Sequence, residues 1–383
     1  MITSFVRRCF VLDCAIALIT LCSVFCSPKI VCAQNYGSRN AILEEELIFQ
    51  TAPFPSCHAS TIVQSAHGTL IAAWFGGYYE SHSRVGIWFS RKVNGRWTPP
   101  VEAANGLQSD GTYLSCWNPV LFQPKNGPLL LFFKVGPTPQ TWRGEMMISH
   151  DDGKTWEDRR KLGDDLIGPV RCKPIEMADG RLVCPSSNEA DNIWRTHLET
   201  TSDLGKTWTK TDPLHSKEEA QTIQPTLFSI KEKDGKVIWS ILCRNKNGNG
   251  KIWQSWSKDG AKTFSKFEET ILPNPNSGID TVSLQDGRVL IIYNHTNLKS
   301  PDPQKPLSRS MINLAVSSDG KSWEAACIFE NSPKAEFSYP AMIQTADGLV
   351  HITYTWKRTH IKHIVLDPAM IKGIPMPKGD WPK

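Results

Sequence analysis

The sequence has little that would mark a metal protein, a membrane protein or a nucleic-acid binder. The six cysteines beyond the N-terminal leader (Cys57, Cys116, Cys172, Cys184, Cys243 and Cys327) include no Cys-x-x-Cys pair, which argues against a metal cluster. Beyond residue 33 no run is long and apolar enough to span a membrane. There is no basic block and no nucleic-acid motif, and the net charge of +5 over 383 residues is mild. Nucleic acid is therefore not an expected partner, whereas small acidic substrates stay open. No stretch carries the periodicity of an amphipathic helix, which points away from helical and α/β classes.

The leader is a separate regime. Arg7 and Arg8 precede an apolar run from Ala15 to Cys26, and Val31-Cys32-Ala33 before Gln34 fits a small-residue cleavage site. Residues 1–33 are read as a signal peptide, although Asp13 interrupts the apolar region. The protein is accordingly expected to be exported, periplasmic or extracellular, with no integral membrane span after cleavage. Most of the six remaining cysteines sit in apolar, strand-like contexts, where free buried thiols are the default. One disulfide stays open as an alternative.

What is present is a recurring box. Ser149 to Trp156 reads Ser-His-Asp-Asp-Gly-Lys-Thr-Trp, and Thr201 to Trp208 repeats it as Thr-Ser-Asp-Leu-Gly-Lys-Thr-Trp. Looser copies run from Ser257 to Phe264 and from Ser317 to Trp323, and Ser90 to Trp97 is a worn copy without its Asp. The aromatic ends, Trp97, Trp156, Trp208, Phe264 and Trp323, stand 59, 52, 56 and 59 residues apart. A short Asp folds a turn by accepting backbone N–H bonds, Gly supplies a positive φ, and the aromatic anchors the turn between sheets. Such regular recurrence means stacked units, and the boxes are read as structural.

Between boxes lie short strand-like runs preceded by tight turns such as Asp179-Gly180, Asp234-Gly235, Asp286-Gly287 and Asp347-Gly348. Ahead of each turn another strand opens, at His58, Asn118, Lys173, Gln224, Asp280 and Tyr339, spaced 60, 55, 51, 56 and 59 residues apart. Six openings with this spacing predict an all-β, six-bladed β-propeller of four-stranded antiparallel blades. The last blade lacks chain for its fourth strand, so Glu45 to Gln50 is expected to complete it and close the ring. Residues 34–44 are read as a linker, 45–372 as the propeller and 373–383 as a loose tail. The boxes and Asp-Gly turns then share one face, and the starts of inner strands crowd the opposite mouth.

That mouth is predicted to gather His58, Asn118, Arg171, Lys173, Gln224, Asp280 and Tyr339 from the inner strands. Second-strand ends add Glu80, Arg244 and Arg358, and third-strand starts add His82, Trp142, Arg143, Trp194 and Arg309. Guanidinium groups bind carboxylates bidentately and aromatic faces suit sugar rings, so an acidic glycan is the expected ligand. Each of these residues also has a structural reading. Any one Arg can bridge blades, His58 can be a satisfied core histidine, the tryptophans can be blade packing, and Asn118 and Gln224 can bond the channel backbone.

The boxes and their spacing resemble the Asp boxes of the sialidase (neuraminidase) superfamily, in its divergent bacterial BNR-repeat branch. The resemblance covers roughly Glu45 to Lys372 and extends to the runs Cys57 to Gly77 and Gly168 to Glu189. It implies a sialidase-like exo-glycosidase with no metal and no cofactor. Ser338-Tyr339-Pro340-Ala341-Met342 looks like the family's nucleophile strand, and Arg244 and Arg309 fall where two of its three carboxylate-binding arginines stand. His58 replaces the first arginine, and Gln224 stands where a Glu should activate the tyrosine. The acid/base Asp is missing from Glu80 to Val85, leaving Glu80 or His82 as substitutes.

Three readings follow. The first is an exo-acting glycoside hydrolase with Tyr339, His58, Glu80 and His82 as catalytic candidates and Arg171, Lys173, Arg244, Arg309, Asn118, Gln224, Asp280, Trp142 and Arg143 around the substrate. The second is a uronate-directed lyase, with His58 and Tyr339 or Tyr113 exchanging protons, or a related rhamnosidase. The third is a glycan-binding propeller with a degenerate site. The protein is expected to be a monomer.

Overall fold

The computed structural model describes residues 38–246, 250–296 and 309–382; the expected leader, residues 1–33, lies outside them. Six antiparallel sheets form the blades of a propeller. From the axis outward, blade one is Ser56–Gln64, Leu70–Gly77 and Gly86–Val93, edged by Arg96–Trp97 and Val101–Ala104. Blade two is Cys116–Phe122, Leu129–Val135, Arg143–Ser149 and Glu157–Lys161, and blade three is Ile175–Glu176, Leu182–Asn188, Arg195–Thr201 and Thr209–Lys210. Blade four is Thr222–Lys231, Val237–Asn245, Lys251–Ser257 and Glu268–Pro273. Blade five is Asp280–Ser283, Val289–Tyr293, Met311–Ser317 and Glu324–Asn331. Blade six is Phe337–Gln344, Val350–Trp356 and His360–Leu366, completed by Ile42–Leu47 from the other end of the chain. The helical segments among the described residues are short 3-10 turns.

Ring closure therefore joins the two ends of the propeller, with Glu45 opposite Ile364 and Leu47 opposite Lys362. The closing strand starts at Ile42, before the expected Glu45, and ends at Leu47. The expected linker is partly propeller: Ser38 and Ala41 are buried, and Ser38 N donates to Ala326 O at 2.7 Å. The expected loose tail is also engaged. Ile374–Pro375 pairs with Glu324 and Ala325 because blade five offers an open outer edge, and Met376 is buried against that blade. An unpaired strand edge is satisfied by whatever chain can reach it.

Alternation along the strands explains the core. In blade five Leu290 and Ile292 face one way and meet Met342, Ile352 and Tyr354 of blade six. Val289, Ile291 and Tyr293 face the other way and meet Phe228 and Leu242 of blade four. Each fully buried aliphatic side chain of this kind contributes about 1.5–3 kcal/mol. The boxes pin neighbouring blades together. In the first, Thr155 N donates to Asp151 Oδ1 at 2.9 Å, Thr155 Oγ1 to Oδ2 at 2.7 Å, and Gly153 N to Ser149 Oγ at 2.8 Å. Trp156 then meets Phe89 of blade one edge-on, as Trp208 meets Phe132 of blade two and Trp323 meets Phe228 of blade four. The six cysteines are buried free thiols, so no disulfide joins them.

The inner strands of blades one, two, four and six each carry a bulge, at His58/Thr61, Trp117/Val120, Ile223/Thr226 and Ser338/Ala341. At each bulge one residue takes a left-handed φ: Ala59 at 59°, Asn118 at 36°, Gln224 at 51° and Tyr339 at 52°. Three of these four precede Pro119, Pro225 and Pro340, whose missing N–H would break a regular ladder and is tolerated at a bulge. Bulges re-aim side chains, and a non-glycine residue in this conformation costs about 1–3 kcal/mol. The strain is spent on the mouth of the channel.

Candidate active site

Tyr339 is the centre of that mouth. Its hydroxyl oxygen lies 2.7 Å from Arg244 Nη1 and 3.4 Å from Gln224 Nε2. Its ring packs against the His58 ring at 4.1 Å between centroids. The guanidinium carbons of Arg171, Arg309 and Arg244 stand 5.2, 5.4 and 5.7 Å from the ring centre. Burial pushes the phenol up, but Arg244, Arg309 and the Gln224 amide outweigh it, and the group titrates below an ordinary tyrosine. Gly278 permits the crowding: a Cβ there would lie 2.8 Å from Arg171 Nε and 3.3 Å from Tyr339 Cγ.

Arg244 is buried and held on three sides. Nε donates to Asn276 Oδ1 at 2.7 Å, and Nη1 donates to Gln224 Oε1 at 3.0 Å as well as to Tyr339. Arg309 donates to Glu336 Oε1 and to Asn276 O, both at 3.3 Å. Arg358 donates from Nε to Glu336 at 2.9 Å and from Nη1 to Glu80 at 2.7 Å. Burial, followed by the charges of Arg358, Arg309, Arg171 and Arg244, holds His58 well below its usual range, so it is a neutral imidazole. Its Nδ1 pairs with Thr355 Oγ1 at 2.9 Å, and its Nε2 is buried without a partner.

The cleft above Tyr339 is lined by Glu80, Trp117, Asn118, Trp142, Glu189, Trp194, Gln224 and Arg244 among others. Of the residues predicted from sequence, Tyr339, Asn118, Gln224, Arg244, Glu80, Trp142 and Trp194 therefore meet there, with Arg309 over the Tyr339 ring. Others are diverted. Arg171 is buried, giving its N–H groups to Ile279 O at 2.8 Å and to Pro340 O, so it props the Tyr339 bulge from below. Lys173 and Asp280 pair with each other at 2.9 Å, and Asp280 also accepts from Thr226 Oγ1 and Met342 N, bracing blades three to six. Arg143 turns to Glu145 and Gln108. His82 packs its ring against Tyr78 and Tyr79 at 4.9 and 5.1 Å and is not among the residues lining the cleft. His58 lies beneath Tyr339 and is 1% exposed. In each case a nearby opposite charge, carbonyl or ring captured the side chain; Arg143, Asp280 and His58 stand on strands as expected, whereas Arg171, Lys173 and His82 fall short of theirs, which begin only at Ile175 and Gly86.

Glu189, Asn276, Glu336 and Arg358 complete the site. Burial pushes the Glu189 carboxyl up, against the pull of Arg244, Lys246 and a hydrogen bond from Trp194. Arg358 bonds Glu80 of the cleft wall, and its carbonyl accepts from Cys57 N at 2.8 Å, so a guanidinium from blade six stands beside the strand where blade one offers a histidine. Glu189 and Asn276 sit on loops between strands, where spacing carries no signal. Arg358, expected at the mouth from the end of the second strand of blade six, is found there on Glu80. Among the described residues one cluster of metal-ligand type, Glu44 and Glu46 of the closing strand with His363 of the strand beside it, lies away from this cleft. There Lys92 Nζ stands 2.7 Å from Glu44 and 2.8 Å from Glu46 and already supplies the positive charge.

An arginine-ringed cleft over a buried tyrosine, on a six-bladed propeller with Asp boxes, defines a sialidase-like propeller. The chain belongs to the BNR repeat-like domain family, whose model matches residues 68–352. A sialidase of Paraclostridium sordellii is 25% identical over 160 residues, which are 39% of this chain and 38% of that protein. The chain thus spans well under half the length of this relative. A protein of unknown function from Dyadobacter fermentans superposes with a TM-score of 0.66 at 18% identity, covering 85% of this chain and 98% of its own. A Hadza microbial sialidase superposes with a TM-score of 0.68 at 18% identity, over 83% of this chain and 66% of its own. At such identities the property shared with the solved structures is the propeller itself.

Proposed function

We propose that the protein is an exported glycosidase that removes an acidic sugar from the end of a glycan. The observation that carries this reading is the convergence of Arg244, Arg309 and Arg358, from blades four, five and six, on the mouth occupied by Tyr339. Fork-shaped cations held in place by Asn276 and Glu336 suit a planar carboxylate. Arg244 and Arg309 hold the substrate carboxylate, and Trp194 and Trp142 offer apolar faces to the ring. The Tyr339 oxygen, once it has given up its proton, bonds to the anomeric carbon as the glycosidic C–O bond breaks, and Glu189 gives its proton to the leaving oxygen. Water then displaces Tyr339, leaving its hydroxyl on the sugar and its proton on Glu189. The burial that raises Glu189 suits it to the proton-donor role, while Glu80 is engaged by Arg358.

The uronate-lyase reading requires His58 to touch substrate, and its burial under Tyr339 weighs against that. The test is incubation of the purified protein with sialylated, uronate-containing and rhamnose-capped glycans, reading released sugar and ultraviolet absorbance. Release of an acidic monosaccharide that disappears in Tyr339→Phe supports the glycosidase. A gain in absorbance from an unsaturated uronate, or saturable binding with no product, refutes it.

A further inference from the structure

The scheme lacks a base for the Tyr339 proton, because residue 224 is a glutamine. The hydrogen-bond geometry supplies an answer. Arg244 has donors only, so the Gln224 atom 3.0 Å from its Nη1 must be the carbonyl oxygen. That fixes the amide, and the Gln224 NH₂ group faces the Tyr339 oxygen at 3.4 Å. Arg244 Nη1 reaches the same oxygen at 2.7 Å. The Tyr339 oxygen thus meets two donors, and no acceptor for its own proton lies within hydrogen-bond distance among the described residues.

Charge balance leads to the same place. Arg244 is 6% exposed, and its hydrogen bonds go to Asn276 Oδ1, Gln224 Oε1 and Tyr339. Two of those partners are permanently neutral, and no carboxylate forms an ion pair with it among the described residues. A buried cation without a counter-ion is costly. Tyr339 is the one ionisable group hydrogen-bonded to it.

We propose that Tyr339 rests as a phenolate, held by Arg244 and Gln224, so that the nucleophile is ionised before substrate arrives and no general base acts on it. Gln224 is a positioning residue in this arrangement: its oxygen orients Arg244 and its NH₂ group excludes a proton acceptor. The groups around Tyr339 are His58 and Glu80 from blade one, Arg171 and Glu189 from blade three and Arg244 from blade four. Arg309 from blade five and Glu336 and Arg358 from blade six complete the set. Glu336 is spent on Arg309 and Arg358, and Glu80 on Arg358, while His58 is neutral. Glu189 feels the Arg244 charge but makes no ion pair with it, so the phenolate is the one anion hydrogen-bonded to Arg244 among the described residues. A glutamate at position 224 would reverse the logic, pairing with Arg244 and keeping the proton on tyrosine.

The inference gives the nucleophile of the proposed glycosidase its working state, and it is tested without substrate. The near-ultraviolet tyrosinate band of the full chain is followed against pH, with circular dichroism reporting that the fold persists. One of the seven tyrosines should already be ionised at neutral pH, about three pH units, or a thousandfold, ahead of an ordinary tyrosine. The early step should vanish in Tyr339→Phe and move upward in Gln224→Glu. An early step that survives in Tyr339→Phe, or the lack of any early step in the wild-type chain, overturns the proposal. Should Tyr339→Phe fail to fold, an unchanged or lowered early step in Gln224→Glu overturns it equally. An early-ionising Tyr339 in a protein that releases no sugar would sink the glycosidase reading alone. Turnover without the early step would sink the phenolate alone.

Discussion

Replacing Glu189 with Gln isolates the proton-donor role. The substitution keeps size and an acceptor for Trp194 but removes the acidic proton from the cleft wall. General acid catalysis is worth about 10²–10⁴ in rate, or about 3–5 kcal/mol of transition-state stabilisation. Glu189→Gln should lose that factor in kcat on a natural glycoside, whose leaving oxygen needs a proton. An aryl glycoside with an acidic leaving phenol needs none, and there the loss should stay within about tenfold. The pH profile adds a second readout. The acid acts only when protonated, and burial raises its pKa above the ordinary carboxyl value, so activity should fall as pH rises through that raised value. This alkaline limb should be missing in Glu189→Gln. Equal losses on both substrates would refute the assignment, and selectivity appearing in Glu80→Gln instead would transfer the role to the rim.

Two further predictions concern the frame. In blade six His351 Nδ1 and His363 Nε2 lie 3.0 Å apart, and His363 Nδ1 reaches Glu46 on the closing strand at 3.0 Å. Burial, then the neighbouring His363, lowers His351 to about 4 from an ordinary 6.5. Between those values the unfolded chain binds a proton that the folded one excludes, so stability is full above the ordinary value and falls as pH drops toward about 4. The contribution from His351 is about 3 kcal/mol. Urea midpoints should decline between neutral pH and about pH 4.5, and less steeply in His351→Gln; parallel declines would contradict the assignment. In the second box, Asp203→Ala removes hydrogen bonds from Lys206 N, Thr207 N, Thr207 Oγ1 and Thr201 Oγ1. It should cost about 1–3 kcal/mol in denaturant unfolding with kcat unchanged, because the boxes lie on the face opposite the cleft. A large fall in kcat with stability intact would show that the box does more than hold blades.

The propeller was legible in the sequence because its determinants are local and repeated. An Asp-Gly turn, a box that folds on its own hydroxyls and carboxylate, and alternating apolar strands recur at near-constant spacing, and only stacked blades satisfy that recurrence. The same count placed Tyr339, Gln224, Asn118 and Arg244 at one mouth, since the start of an inner strand and the end of the second strand have fixed places in a blade. Pro119, Pro225 and Pro340 even mark three of the four bulges, although φ at the preceding residues was not readable from them. What only tertiary structure decided is which long side chains stay free. Asp280 and Arg143 stand on the predicted strands and Arg171 and Lys173 just ahead of one that begins at Ile175, yet nearby carbonyls and opposite charges take them up. Asn276, Glu189 and Glu336 enter through loops and strand ends whose closeness no spacing encodes. The orientation of the Gln224 amide lies wholly in this second category, because it follows from the position of Arg244 on an adjacent strand. Short-range hydrogen bonding and periodicity wrote the frame into the chain, whereas contacts between residues about a hundred positions apart, such as Arg244 with Tyr339, set the chemistry.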